Sequence, residues 1–318
     1  MVSWGAVDNG LALWAEYQHP RDAHGKFAPI EGGEGGKGLA REHIEAGAHV
    51  RVIRPGEGAS SYGGMRASHI KEVHEFDGST GLKALIIPHE GKPKYLYTDE
   101  YHQRQADAKF ERTTAMRTVV NDLQHKIGVD LESADRHTRA LATVASLIDQ
   151  HCIRVGGKPE EERTGSRGAT TLEAQHCFEK RDGGLRLMFQ GKSNHRWSVE
   201  VQDPKVAANI RAAATGKGPG QRLFNVTPSA INDYIKRQAG REITAKDFRT
   251  FHATSIVRGE LEHAPVPATA KDVQRNIKRA IDVAARHLNH SPSICRENYV
   301  NPRVINEYEL RSTPKVKS

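Results

Sequence analysis

The spacing of apolar residues changes character near Glu100, and this change restricts the chain to a two-part design. Before that point the apolar residues favour strands. His49–Arg54 (HVRVIR) alternates, Leu82–Pro88 (LKALIIP) is a compact apolar run, and Lys94–Thr98 (KYLYT) alternates again, with Gly and Pro marking the gaps. Beyond it the apolar residues return at helical intervals. A helix is predicted over about 136–153 with Leu141, Val144, Ala145, Ile148 and Cys152 inward. Another near 272–288 would bury Val273, Ile277, Ala280, Ile281, Ala284 and Leu288. Thr227-Pro228 supplies a cap and a first-turn proline for a helix burying Ile231, Tyr234 and Ile235. Thr244 caps a further helix, with Asp247 as its capping-box partner. Two strands interrupt the helices: Leu185–Phe189 and Trp197–Val201, each with period two, joined by the hairpin tip Gln190–Arg196. The expected class is α+β: a small β-rich N-terminal module, then a mostly α-helical domain with one small antiparallel sheet. The expected divisions are 1–45, 46–98 and 99–318, the first a flexible glycine-rich segment containing Glu31–Gly38 (EGGEGGKG).

Charge follows the same division. Residues 1–98 carry 11 Lys+Arg against 12 Asp+Glu, whereas 99–318 carry 36 against 27. The basic excess belongs to the C-terminal part, and a basic domain suits a polyanionic partner because Lys and Arg displace counterions from phosphates. Cys152, Cys177 and Cys295 are too scattered for a metal-ligand pair and read as free thiols in a reducing cytosol. No apolar run approaches the ~18 residues of a membrane span, and the N-terminus lacks a secretory pattern. These features predict a soluble cytoplasmic protein.

Walker loops, dinucleotide loops and HExxH motifs are all missing. The basic part holds instead an ordered series. CIRVGG carries Arg154, FQGKS carries Lys192, KDFRTFHAT carries Arg249, and LNHSPSICRENYVNPRVINEY carries His290 and Tyr299. With these residues the chain resembles the type IB DNA topoisomerases of the poxvirus and bacterial kind, over about residues 94–310. The likeness includes the approach segment Tyr95–Arg112 and the stretch Gly168–Leu172 (GATTL). It is most specific in the last block, at His290, Pro292, Cys295, Arg296, Tyr299 and Pro302. The resemblance implies a catalytic domain over 99–318. It maps two arginines, a lysine, a histidine and a tyrosine onto Arg154, Arg249, Lys192, His290 and Tyr299. It also implies a monomer acting on double-stranded DNA in the cytoplasm, at the nucleoid, with no cofactor and no metal.

The chemistry asks for these residue types. Displacement at a phosphodiester builds negative charge on the non-bridging oxygens, which Arg154, Arg249 and His290 would stabilise. Tyr299 would attack as a phenol of ordinary pKa near ~10 and must lose its proton. The leaving 5′-oxygen needs a general acid, a role that the resemblance gives to Lys192. Lys246, Arg167, Thr170 and Ser293 are further candidates for DNA contact. Singly, each catalytic candidate has an ordinary reading: a helix-end charge for Arg154, a solvated turn lysine for Lys192, a salt-bridge arginine for Arg249, a structural histidine for His290, a packing tyrosine for Tyr299. The five in order outweigh those readings, and Tyr299 is preferred to Tyr308 because it follows His290 by nine residues.

Some positions depart from the pattern. Gly157 and Arg167 stand where relatives usually carry Asn and an aromatic residue, and the loop Lys158–Arg167 is highly charged, so cleavage-site preference is expected to differ. A tyrosine recombinase is the nearest alternative, but such enzymes typically place His three residues before the second arginine, where this chain has Lys246. His19–Pro29 (HPRDAHGKFAP) resembles segments of phage structural and morphogenesis proteins, which adds a phage-related, non-catalytic DNA-binding component as another alternative.

Overall fold

A computed structural model of the chain describes residues 51–53, 61–76, 78, 81–91, 93–157 and 164–312. The expected glycine-rich segment 1–45, the phage-like stretch within it and loop residues 158–163 lie outside the described residues. The chain divides into two compact units, residues 1–109 and 110–318.

In the first unit, β1 (Arg51–Ile53), β4 (Ile70–Glu75), β5 (Leu82–Pro88) and β6 (Lys94–Tyr97) form an antiparallel sheet in the order β1-β4-β5-β6. A hairpin of β2 (Ser61–Tyr62) and β3 (Met65–Arg66) completes the strands. Ile70, Val73, Ala84 and Ile86 form the small core, against which Tyr62, Met65 and Leu96 pack. The compact run at Leu82–Pro88 is β5, where the successive residues Ala84, Leu85 and Ile86 are all buried, so both faces of the strand are covered and the run reads as continuous rather than alternating.

Helix α1 (Asp99–Asp130) continues into the second unit, where Met116, Val120, Leu123 and Ile127 are buried at alternating intervals of four and three. Helix α2 (Arg136–His151) starts at Asp135, whose carboxylate accepts from Thr138 N–H. A three-stranded antiparallel sheet follows in the order β7 (Cys177–Glu179), β8 (Leu185–Gln190) and β9 (Arg196–Val201). Leu185, Leu187 and Phe189 on β8 and Trp197, Val199 and Val201 on β9 all face the core, as their alternation requires. Strand β7 has no counterpart in the sequence reading, because three residues are too few to display a period. The predicted 136–153 helix also stops early. Cys152 takes a left-handed conformation (φ 53°), which ends α2 and releases the chain toward Arg154.

Among the described residues the remaining α-helices are α3 (Pro204–Ala214), α4 (Pro228–Ala239), α5 (Ala245–Glu262), α6 (Ala270–His287), α7 (Pro292–Tyr299) and α8 (Pro302–Ser312). Thr227 caps α4 ahead of Pro228, a reciprocal Thr/Asp box opens α6 (Thr269 with Asp272), and at the start of α5 the Asp247 carboxylate accepts from Thr244 N–H. Each such cap contributes about 1 kcal/mol. On α6, Val273, Ile277, Ala280, Ile281 and Ala284 are buried as expected, with Leu288 just beyond its end. Truncating Ile281 to Ala would cost about 2–5 kcal/mol.

Two apolar clusters meet on α5. One gathers α1, α2, the β7–β9 sheet, α3, α4 and the first turns of α5 through Phe248. The other gathers Ala253, Val257 and Leu261 of α5 with α6, α7 and α8. α5 is therefore buried on more than one side, including the polar residues Asp247, Arg249, Thr250 and Thr254. Buried polar groups need partners, and Arg249 and Thr254 find theirs at the seam between the clusters.

Candidate active site

Arg154 lies on the extended segment after α2, and its backbone is pinned by a second segment. Ala169 N–H donates to the Arg154 carbonyl and Thr170 N–H to the Val155 carbonyl, both at 2.9 Å. The two segments touch at glycines. A side chain on Gly168 would sit 2.5 Å from Gly156 Cα and 2.6 Å from the Arg154 carbonyl oxygen, and Gly156 has φ +84°. Only glycine permits both the approach and the conformation. CIRVGG and GATTL are thus halves of one device that fixes Arg154.

Arg249 is 2% exposed and is held by main chain. Its Nη1 donates to the Cys152 carbonyl and its Nη2 to the Leu288 carbonyl at 3.0 Å. These carbonyls lie at the C-terminal ends of α2 and α6, where the helix dipoles present partial negative charge. Burial lowers the pKa of the guanidinium from its ordinary value, yet an arginine stays cationic at any working pH.

Tyr299 is the last residue of α7, and its side chain faces both arginines. Arg154 Nη2 donates to the phenolic oxygen at 3.2 Å. The guanidinium carbon of Arg249 lies 4.8 Å from the ring centre. Burial alone raises the phenol's pKa, but Arg249 and then Arg154 pull it down further, leaving it below the ordinary value of 10.0.

His290 completes the cluster. Its Nε2 lies 3.1 Å from Arg154 Nη2, and its ring is 5.9 Å from that of Tyr299. Burial, then Arg154 and Arg249, then His195 lower its pKa to about 4, so it is neutral at pH 7. A neutral imidazole has one acceptor nitrogen. Two donors nevertheless approach it, Arg154 at Nε2 and Ser291 N–H at Nδ1, the latter at 3.2 Å. One of these contacts is left unsatisfied. An anion beside Arg154 would relieve it by accepting from Arg154 and from Nε2–H together.

Lys192 stands apart from these four. It is exposed on the short turn Lys192–Asn194 between β8 and β9 and makes no hydrogen bond to them. The hairpin is nevertheless tied to the cluster. Asn289 Nδ2 donates to the Arg196 carbonyl at 2.8 Å, and the His195 ring lies 5.6 Å from that of His290.

A family model described as the catalytic core of eukaryotic DNA topoisomerase I matches residues 98–315. The chain belongs to that family. DNA topoisomerase 1 of Mycosarcoma maydis is 24% identical over 262 residues, covering 71% of this chain and 25% of that protein. DNA topoisomerase 1B of Acanthamoeba polyphaga mimivirus is 22% identical over 249 residues, covering 73% of this chain and 74% of the viral one. DNA topoisomerase 1 of Candida albicans is 26% identical over 202 residues, covering 63% and 26%. The matched part is thus about a quarter of the fungal proteins and about three quarters of the viral one. The type IB resemblance of the ordered series and the family match fall on the same stretch of chain.

The other expected DNA contacts of this topoisomerase-family chain separate into two kinds. Lys246, in the first turn of α5, and Ser293, in the first turn of α7, are exposed. Thr170 is 1% exposed and its hydroxyl donates to the Val155 carbonyl. Arg167 pairs with Glu173 at 2.9 Å, and its N–H donates to the Gln190 carbonyl. In this structure Thr170 fixes the Arg154 loop, and Arg167 links that loop to the end of β8. The sequence reading missed His195, although it lies inside the QGKSNHR tip, and the contact of Gly156 with Gly168. It also missed Thr254 and the bond of His252 to Asp149 at 2.7 Å, because a polar residue on a helix face carries no pattern of its own.

Among the described residues no helix is long and apolar enough to cross a membrane, and no three His, Cys, Asp or Glu side chains gather as a metal site. The three cysteines are free, and burial pushes the Cys152 thiol up to about 12 and the Cys177 and Cys295 thiols up to about 11.

Proposed function

We propose that this chain relaxes supercoiled DNA by transient cleavage of one strand, with Tyr299 as nucleophile. The observation that carries the reading is the convergence of Arg154, Arg249 and neutral His290 on the phenol of Tyr299. A scissile phosphate would sit beside Arg154. It would receive hydrogen bonds from Arg154 and from His290 Nε2–H, with the Arg249 cation behind. Such donors, fixed before the reaction, stabilise the charge that develops in the transition state.

Tyr299 gives its phenolic proton to solvent, and the phenolate, held by Arg249 and Arg154, forms a bond to phosphorus as the bond from phosphorus to the 5′-oxygen breaks. The protein is left on the 3′-phosphate. Lys192, on its exposed turn, protonates the departing 5′-oxygen. The cut strand then swivels, and the 5′-hydroxyl reverses the exchange. The phosphotyrosine retains the energy of the broken bond, so ATP is not required, and the fixed cations take the place of a metal. The proposal includes a monomer acting on duplex DNA in the cytoplasm of a bacterial or phage-infected cell. It places the activity in residues 99–318, with 46–98 as a separate module.

Supercoiled plasmid incubated with the purified chain in EDTA and without ATP should relax, for positive and negative supercoils alike. Trapped complexes should carry protein on the DNA 3′ end, and Tyr299→Phe should bind DNA without forming an adduct. Loss of activity in EDTA, attachment at the 5′ end, or an adduct from Tyr299→Phe would each refute the reading. A requirement for paired specific sites would point to a recombinase instead.

A further inference from the structure

Tyr299 is held from behind as well as in front. Thr254 lies five residues beyond Arg249 on α5 and is 8% exposed. Its hydroxyl donates to the Tyr299 carbonyl at 3.1 Å and accepts from Asn301 N–H, also at 3.1 Å. A threonine within a helix commonly returns its hydroxyl to a carbonyl of its own helix. Thr254 instead reaches across to the junction of α7 and α8. The Tyr299 carbonyl is one of the last of α7 and so has no partner within its helix. Asn301 carries the constraint onward, because its Oδ1 accepts from Arg303 N–H in the first turn of α8 at 3.0 Å.

We propose that Thr254 is a positioning residue for the nucleophile. α5 then grips Tyr299 at two points: Arg249 against the ring and the Thr254 hydroxyl at the backbone. The placement of the phenolic oxygen relative to the arginine cation is set by one rigid element rather than by the α7–α8 turn. Thr254 is buried, its hydroxyl bonds the main chain of Tyr299 and Asn301, and it acts only through Tyr299. The inference rests on the reading of Tyr299 as nucleophile.

The test compares Thr254→Val, which keeps the shape and removes the hydroxyl, with Thr254→Ser, which keeps the hydroxyl. Single-turnover cleavage is measured at saturating DNA, with DNA affinity and melting temperature followed in parallel. A small displacement of a reacting group costs up to about 100-fold in rate. Thr254→Val should therefore cleave about 10- to 100-fold more slowly at temperatures where it is fully folded, with its DNA affinity within about twofold of the parent. It should stay slow on a substrate with sulfur at the 5′-bridging position, because a better leaving group does not restore a misplaced nucleophile. Thr254→Ser should recover most of the rate. Folded Thr254→Val that cleaves as fast as the parent would overturn the proposal. So would Thr254→Ser that is folded and as slow as Thr254→Val, since the hydroxyl would then be irrelevant. If Thr254→Val does not fold, the Thr254→Ser rate alone decides: recovery near the parent supports the clamp and a slow folded enzyme refutes it. A parent chain that forms no adduct at all would instead refute the reading of Tyr299, and is thereby distinguished.

Discussion

Arg154 donates a hydrogen bond to the phenolic oxygen of Tyr299 at 3.2 Å. With Arg249 against the same ring, it lowers the pKa of the phenol despite its burial. If the phenolate attacks, single-turnover cleavage should rise with pH and level off below pH 10.0, the ordinary phenol value. Arg154→Ala removes one of the two charges holding the pKa down, so its plateau should move to higher pH, beyond any fall in maximal rate. Arg154→Lys should lie between. A pH–rate profile for the three proteins checks this, and an unmoved plateau in Arg154→Ala would detach Tyr299 ionisation from the rate.

Lys192 and Arg249 are predicted to respond differently to one change in the DNA. Lys192→Ala should cripple cleavage of ordinary DNA but recover toward the parent rate when sulfur replaces the 5′-bridging oxygen. A thiolate, with thiol pKa near ~8.5, leaves without much help from an acid. Arg249→Ala should stay slow on both substrates if, as proposed, its charge serves the phosphoryl oxygens. Equal rescue of both variants, or of neither, would return Lys192 to a role in charge or DNA positioning.

Gly168→Ala should damage the site without altering a catalytic side chain. The added methyl meets the backbone at Gly156 and the Arg154 carbonyl, and backbone cannot step aside as a flexible side chain does. Overpacking of this kind costs about 1–3 kcal/mol. The expected result is a lower melting temperature together with slower cleavage than that loss of folded protein explains. Cleavage unchanged in the folded variant would show that Arg154 is held by other means.

Acid should destabilise the chain through its histidines. Burial, then the charge of His287, lowers the pKa of His151 to about 4, and burial with the arginines does the same for His290. Both bind protons more readily unfolded, where an imidazole titrates near ~6.5. Their contribution is therefore intact above about pH 6.5 and is lost as pH falls toward about 4. Melting temperatures across that range should decline, and His151→Asn should decline less steeply. A parallel curve for the variant would assign the acid sensitivity elsewhere.

DNA binding should weaken steeply with salt, since the basic excess lies in residues 99–318. Lys246→Ala should reduce the slope of log K against log salt by about 1, as expected for one lost phosphate contact. Ser293→Ala carries no charge change and should leave the slope alone. Affinities titrated at several salt concentrations distinguish the two.

Much of this architecture is legible in the chain itself, because burial imposes a period. The inward residues of α2, α4, α6, β8 and β9 follow from spacing alone. The caps at Thr227 and Thr244 follow from the chemistry of orphan N–H groups at helix starts. The ordered series from Arg154 to Tyr299 carries the family signal, because identity and order survive without coordinates. Strand β7 is invisible because three residues hold no period, and the left-handed Cys152 because it lies in phase with the helix that it ends. Only the tertiary structure brings Gly156 against Gly168, seats Arg249 on the carbonyls of Cys152 and Leu288, and fastens Tyr299 to Thr254. Each of those contacts joins residues at least twelve apart through backbone atoms. Every residue type carries the same carbonyl and nearly every one the same N–H, so the sequence does not mark which will meet.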